Sequence, residues 1–268
     1  MTDARQPLNI SYLRQQLIDA GPYARIEHSL ETGSTNTDLV AAAHAGAAEW
    51  TAFLTEHQTA GRGRMGRSYT APPGSQLPLS VLIRPPYESI TRLGTMPLAT
   101  GLALVDAIGS ETGVRLKWPN DLVIDGRKLC GILAEAVSLS EEPAVVIGLG
   151  LNTSLRTNEL PVPHATSLEL ENIPYERNEL AVRILVALHR RLKQWQDNAP
   201  ALMSDYRKVS ATIGQEVRVI LPGDVELLGT ATGVGDDGLL EVRDAKDNHH
   251  RLAVGDVIHL RLQDTGTS

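Results

Sequence analysis

Three arginines and three glycines fall within ten residues of this chain, where Gln58 to Arg67 reads QTAGRGRMGR. Glycines leave backbone N–H groups uncovered, and Arg62, Arg64 and Arg67 add planar donors that match carboxylate and phosphate. The residues read as an anion-binding loop, weighed against a solvated basic turn or a weak RNA-binding tract. Gly61, Gly63 and Gly66 also spell G-x-G-x-x-G. That fingerprint must open a helix, and here Ser-Tyr-Thr-Ala-Pro-Pro-Gly follows. Like charges so close repel, so the loop is expected to be mobile until an anion neutralises it.

Other polar clusters are weaker singly. Leu116 to Asp121 reads LKWPND, which alone is a strand stopping at proline and turning at Asn-Asp. Lys128 follows the Asp125-Gly126 dipeptide and projects a cation from a hairpin; alone it reads as a surface lysine. Gly148 to Asn152, GLGLN, either packs closely on a helix or lets a ligand approach the backbone. Ser34-Thr35-Asn36 is a helix cap, or a set of hydrogen-bonding groups for a polar small molecule. There is no G-x-x-x-x-G-K-S/T phosphate loop and no G-x-S-x-G elbow. Cys130 lies in an apolar strand and reads as core, and His249-His250 as a polar turn.

The elements that must position these groups are legible from periodicity. Helices are expected at 8–20, 37–48, 92–109 and 178–197, and strands at 50–55, 77–84 and 144–152, the last expected to be central by its wholly apolar run. Pro78 places its strand at an edge or marks its beginning. Two apolar runs flank Asp125-Gly126, which suits a primed hairpin turn. From about 211 the chain turns to short alternating runs split by Gly/Asp turns, a pattern suited to a small five-stranded barrel. Domain bounds are therefore expected at 1–210 and 211–268.

Composition narrows the classes. The 268 residues are 42% hydrophobic, enough for a packed core, and only 4% aromatic, so the core is aliphatic. A net charge of -7 argues against a general nucleic-acid coat. One cysteine excludes an intramolecular disulfide framework and fits a reducing compartment. No apolar run reaches the ~18 residues of a membrane span, and the amino terminus lacks a secretory pattern. A cytoplasmic protein without membrane or DNA partners is expected.

In order, G-S-T-N (33–36), Q-T-A-G-R-G-R-x-G-R (58–67), K-W-P-N-D (117–121), G-R-K-L-x-G-I-L (126–133) and G-x-G-x-N (148–152) resemble the biotin protein ligases. The resemblance covers about 30 to 262. It implies an α+β fold: a mixed sheet flanked by helices, like a class II synthetase, with a small C-terminal SH3-like β-barrel. It implies biotin–acetyl-CoA-carboxylase ligase activity, in which biotin and MgATP give biotinyl-5′-AMP and the acyl group passes to a lysine. The acceptor domain belongs to an acyl-CoA or pyruvate carboxylase, and the enzyme is a monomer or homodimer.

By the same resemblance, Ser34, Thr35, Asn36, Gln58, Gly61, Arg62, Gly63, Arg64, Lys128, Gly131 and Leu133 hold biotin. Arg64, Arg67, Tyr69, Asn120, Lys128 and Asn152 serve the nucleotide, Asp121 the Mg2+, and Lys128 and Arg64 the catalysis. The cations offset repulsion between two anionic reactants, and an ordered loop shields the anhydride from water. Tyr69 stands where the family often has tryptophan, leaving less area for stacking on adenine. The 32 residues before Gly33 are about half of a winged helix-turn-helix, so no repressor function is expected. The related readings are a lipoate or octanoyl transferase on the same fold, disfavoured by Gln58–Arg67, and a non-enzymatic regulator.

Overall fold

The computed structural model describes residues 5–223 and 225–260. A short helix α1 (Ile10–Arg14) leads into β1 (Arg25–Ser29), α2 (Thr35–His44) and β2 (Thr51–Thr55). Two-residue strands β3 (Gly61–Arg62) and β4 (Ser68–Tyr69) form a small hairpin before β5 (Gln76–Ile83) and α3 (Met96–Ile108). Next come β6 (Arg115–Lys117), β7 (Asp121–Ile124), β8 (Arg127–Ser138), β9 (Ala144–Asn152), α4 (Arg177–Gln196) and α5 (Ala201–Val209). The last strands are β10 (Glu216–Leu221), β11 (Val225–Val234), β12 (Leu240–Arg243), β13 (His249–Leu252) and β14 (Asp256–His259).

Seven strands form one mixed sheet in the order β1-β2-β5-β9-β8-β7-β6, in which only the β1–β2 pair is parallel. The apolar run Ala144–Asn152 occupies its centre. Alternation along β5 and β9 sends Leu77, Leu79, Val81 and Ile83, with Val145, Ile147, Leu149 and Leu151, to the face covered by α3 and α4. Leu82, Ala144 and Val146 point the other way and meet Leu39 and Ala43 of α2. Helix α2 covers only part of that second face. The uncovered remainder carries glycines and polar side chains, and there the site forms.

Of the two places expected for Pro78, an edge strand or a strand's beginning, the structure shows the second: β5 is interior, between β2 and β9, and Pro78 is its third residue. Its ladder with β2 ends at Leu54↔Leu79, so Pro78 lies where β2 no longer runs alongside. The Asp125-Gly126 turn is primed as expected, with φ of 47° and 75°.

The SH3-like barrel expected over 211–268 does not form. Strands β10 to β14 make an open five-stranded antiparallel sheet, ordered β13-β12-β11-β10-β14. Closure needs a ladder between β13 and β14, and among the described residues none joins them. Alternation fixes which face of a strand is buried but not whether the edges meet, so the same pattern serves sheet and barrel alike. Both edge strands are four residues long, short enough to be tolerated as free edges. Residues 1–4 of the expected first domain and 261–268 of the expected second lie outside the described residues.

The second sheet buries Val217, Val219, Ala231, Val234, Leu240 and Val242 in a core continuous with the first. Trp118 pins the junction. Its indole N–H donates to Gly238 O at 3.0 Å and its backbone N–H to Thr212 Oγ1 at 3.0 Å.

Candidate active site

A cavity of about 510 Å³ opens on the uncovered face, bounded by the start of α2, the β3–β4 hairpin, the β6–β7 and β7–β8 connections and the end of β9. All five sequence motifs converge there. Its floor is glycine because other groups need the space. A Cβ on Gly148 would lie 2.0 Å from Asn36 Oδ1 and 3.1 Å from Ser80 Oγ. The missing side chain lets α2 start directly against the sheet.

Ser34, Thr35 and Asn36 are buried at the helix start. Gln58 Oε1 accepts from the Thr35 N–H at 2.9 Å and from Thr35 Oγ1 at 3.1 Å. Ser80 Oγ lies 2.7 Å from Thr35 Oγ1 and donates to Asn36 Oδ1 at 2.6 Å. Asn36 Nδ2 donates to Glu135 Oε2 at 2.5 Å. These bonds fix the directions of donors and acceptors before any ligand arrives. Gly131 and Leu133 of β8 line the same end, with Gly61, Arg62 and Gly63 across the mouth.

Lys128 reaches the cavity through a bulge. Leu122 pairs with Cys130 and Val123 with Lys128, which leaves Leu129 as an extra residue in β8. Without it Leu129, two residues from Gly131, would share the cavity face and Lys128 would point away; the bulge reverses both. Leu129 is instead buried in the core. The ammonium of Lys128 sits over Gly131, where a Cβ would come within 3.2 Å of Nζ. Nζ lies 2.6 Å from Asp121 Oδ1. A backbone clamp holds the segment, with Lys128 N–H donating to His164 O at 2.7 Å and Thr166 N–H to Lys128 O at 2.8 Å.

The arginine segment is a folded hairpin here, with Gly61 opposite Tyr69 and Arg62 opposite Ser68. Arg64 donates to Asn120 Oδ1 at 3.2 Å, while Asn120 Nδ2 donates to Ile132 O at 2.8 Å. Arg67 is ion-paired with Asp256 of the second sheet. Tyr69 OH and Gln76 Nε2 both donate to Asn152 Oδ1, at 2.9 and 2.6 Å, and Asn152 Nδ2 donates to Thr166 O at 2.8 Å. The amide of Asn152 therefore orients Tyr69. Burial pushes the Tyr69 phenol well above its ordinary pKa, so it stays protonated as a donor.

All sixteen residues singled out in the sequence line this cavity. Others line it without having been singled out for a role: Gln76, Lys117, His164, and Ile220, Asp256 and Val257 from the second sheet. Lys117 stands inside a motif already read, but Asp256 arrives from far along the chain and has no local signal. Cys130 also touches the cavity. Burial pushes its thiol up to about 12, against the opposing effect of Lys128, so it is an inert neutral group as expected of a core cysteine.

A mixed sheet with one face only partly covered by a helix, a cationic hairpin and a lysine aimed by a bulge define an acid-activating ligase site. Residues 32–152 match the biotin/lipoate A/B protein ligase family, and 212–260 match the biotin protein ligase C-terminal domain. The chain is 42% identical over 274 aligned residues to a Mycobacterium tuberculosis biotin–acetyl-CoA-carboxylase ligase, covering 97% of this chain and 100% of that one. It is 33% identical to the Escherichia coli bifunctional ligase/repressor BirA, over 70% of this chain and 60% of that protein. The solved structure of biotin protein ligase from Aquifex aeolicus in complex with biotin and ATP superposes with TM-score 0.75 at 23% identity, covering 90% of this chain and 100% of that one. The chain belongs to the biotin protein ligase family.

Proposed function

We propose that this cavity performs both half-reactions of a biotin–acetyl-CoA-carboxylase ligase, the activity that the full-length match to the M. tuberculosis enzyme supports. That match also supports a ligase without repressor function. Biotin occupies the end built by Ser34, Thr35, Asn36 and Gln58, where fixed hydroxyl and amide groups meet the ureido donors and carbonyl. Gly61, Arg62, Gly63, Gly131 and Leu133 enclose the rest of it. ATP occupies the end built by Arg64, Arg67, Tyr69, Asn120 and Asn152, with Tyr69 as the stacking face. The unit 1–210 carries the chemistry, and 211–268 adds a wall.

A biotin carboxylate oxygen attacks the α-phosphorus. The bond to the bridging oxygen of the β-phosphate breaks, and pyrophosphate leaves with the electron pair. Lys128 offsets the charge of both reactants where they meet, and Arg64 holds the α-phosphate as charge builds on it. A neutral acceptor lysine then attacks the acyl carbon, loses a proton and expels AMP.

Among the described residues no three His, Cys, Asp or Glu groups converge as a metal cage. Magnesium carried on ATP phosphates needs only one or two carboxylates, and Asp121 is one placed at the junction with Lys128. Bound there, it would neutralise phosphate charge.

The observation that carries this reading is Lys128 poised over Gly131 between the two ends of one cavity. The test is incubation with biotin, MgATP and the acceptor domain of an acyl-CoA carboxylase. Biotinyl-AMP and a biotinylated lysine are expected; absence of both overturns the reading.

A further inference from the structure

Two side chains stand behind the biotin end without lining the cavity. Ser80 on β5 lies opposite Gly148 and is fully buried. Glu135 on β8 lies opposite Val146, is partly buried, and has no ion-pair partner among the described residues. With Thr35, Asn36 and Gln58 they make one continuous row of polar contacts. Gln58 Oε1 lies 3.1 Å from Thr35 Oγ1, and Thr35 Oγ1 lies 2.7 Å from Ser80 Oγ. Ser80 Oγ is 2.6 Å from Asn36 Oδ1, and Asn36 Nδ2 is 2.5 Å from Glu135 Oε2.

The protons in this row can be counted. A carboxylate accepts and does not donate, and the same holds for the oxygen of a side-chain amide. Glu135 therefore takes the Nδ2 side of Asn36, whose Nδ2 also faces Leu133 O at 3.4 Å, and turns Oδ1 toward Ser80. Three oxygen–oxygen contacts remain, from Gln58 through Thr35 and Ser80 to Asn36, and both end oxygens are pure acceptors. Only the Thr35 and Ser80 hydroxyls bring protons, so one contact stays without a proton however they turn. Ser80 serves Asn36 Oδ1. When Thr35 serves Ser80, its own oxygen and Gln58 Oε1 are left side by side as acceptors, and both residues line the cavity.

We propose that Glu135 is a positioning residue that sets the direction of this row and thereby selects the acid. Its carboxylate leaves the row one proton short at the cavity end, and the acid that fits is one that brings an N–H donor there. A cyclic urea supplies that N–H; a dithiolane ring or a plain alkyl chain does not, and would leave buried acceptors unpaired. This rests on the reading of that end as the biotin end. A neutral side chain of the same shape reverses the row. In Glu135→Gln the new amide can donate to Asn36 Oδ1, so the Asn36 amide turns over and donates to Ser80, Ser80 to Thr35 and Thr35 to Gln58. Every contact then has its proton, and an incoming N–H must undo the row before it binds.

The test compares wild type with Glu135→Gln by calorimetry without nucleotide. The probes are biotin and its two isosteres in which one ureido N–H is replaced by oxygen. Wild type is expected to bind biotin at least tenfold more tightly than the weaker isostere. Glu135→Gln should bind biotin at least fivefold more weakly than wild type does, yet bind that isostere within twofold of wild type. Its KM for ATP in the exchange assay should also stay within twofold. Equal weakening of both probes marks a general disturbance of the pocket and overturns the proposal. An unchanged preference for biotin overturns it as well. Because binding is read without ATP, a wild type that binds biotin but forms no adenylate refutes the ligase reading alone, whereas one that binds neither probe removes this proposal too.

Discussion

Lys128 Nζ lies 2.6 Å from Asp121 Oδ1, on a strand whose bulge at Leu129 aims the lysine at the cavity and the leucine at the core. The ion pair stations the ammonium over Gly131 until a carboxylate and a phosphate compete for it. Its side chain is 34% exposed and makes little of the core, so truncation removes chemistry and leaves the fold.

Lys128→Ala should therefore lower biotin-dependent ATP–pyrophosphate exchange by about 100-fold or more, the loss typical of removing one charge-stabilising donor. The thermal midpoint should move by no more than a degree or two. Exchange at the wild-type rate would remove Lys128 from the mechanism.

Gly148→Ala probes the biotin end. The new methyl would occupy the place of Asn36 Oδ1, so the asparagine must leave its bonds to Ser80 and Glu135. The KM for biotin should rise more than tenfold while the KM for ATP changes little, measured by varying each substrate in exchange assays. An equal rise in both would show that the two ends of the cavity are not separately built.

How much of this was legible in the sequence differs by residue. The primed turn at Asp125-Gly126 and the central place of Ala144–Asn152 follow from local chemistry and from an apolar run too uniform for an edge. Pro78 leaves an edge strand and a strand's beginning both open, because its penalty depends on where the neighbouring strand ends, a non-local fact. The direction of Lys128 depends on a bulge that no residue type announces. Gln76 and Asp256 meet the site only through strand order and through packing of the second sheet. The barrel expectation failed for a related reason: alternation records burial, while closure depends on two edges meeting.

Arg64 ties the hairpin to the β6–β7 turn through Asn120. Arg64→Ala frees that side of the cavity and takes away a donor to the adenylate phosphate. Biotinyl-AMP should then escape into solution, seen by chromatography as free intermediate and as biotin on lysines of a bystander protein. Retention equal to wild type would show that the hairpin closes without this arginine.

Stability should depend on a buried pair away from the site. Glu56 accepts from the Leu8 N–H at 2.8 Å and lies 2.9 Å from His28 Nε2, and its other oxygen pairs with Arg177 at 2.7 Å. Both Glu56 and Arg177 are almost fully buried. Burial alone would raise the Glu56 pKa, but the Leu8 hydrogen bond, the Arg177 charge and the His28 contact outweigh it and hold the carboxyl below its ordinary value. A carboxyl depressed in the folded state adds stability above its unfolded pKa of about 4.3, lost as pH falls through the folded value. Glu56→Gln strands the Arg177 charge, at a cost of about 3–5 kcal/mol. At pH 7 its thermal midpoint should fall by roughly 10 °C. Because acid protonates the wild-type carboxyl and strands the same arginine, the gap between the two proteins should narrow as pH drops below about 4. Melting curves at pH 7 and pH 3.5 check this, and a gap of constant size would mean that Glu56 is held by something other than its charge.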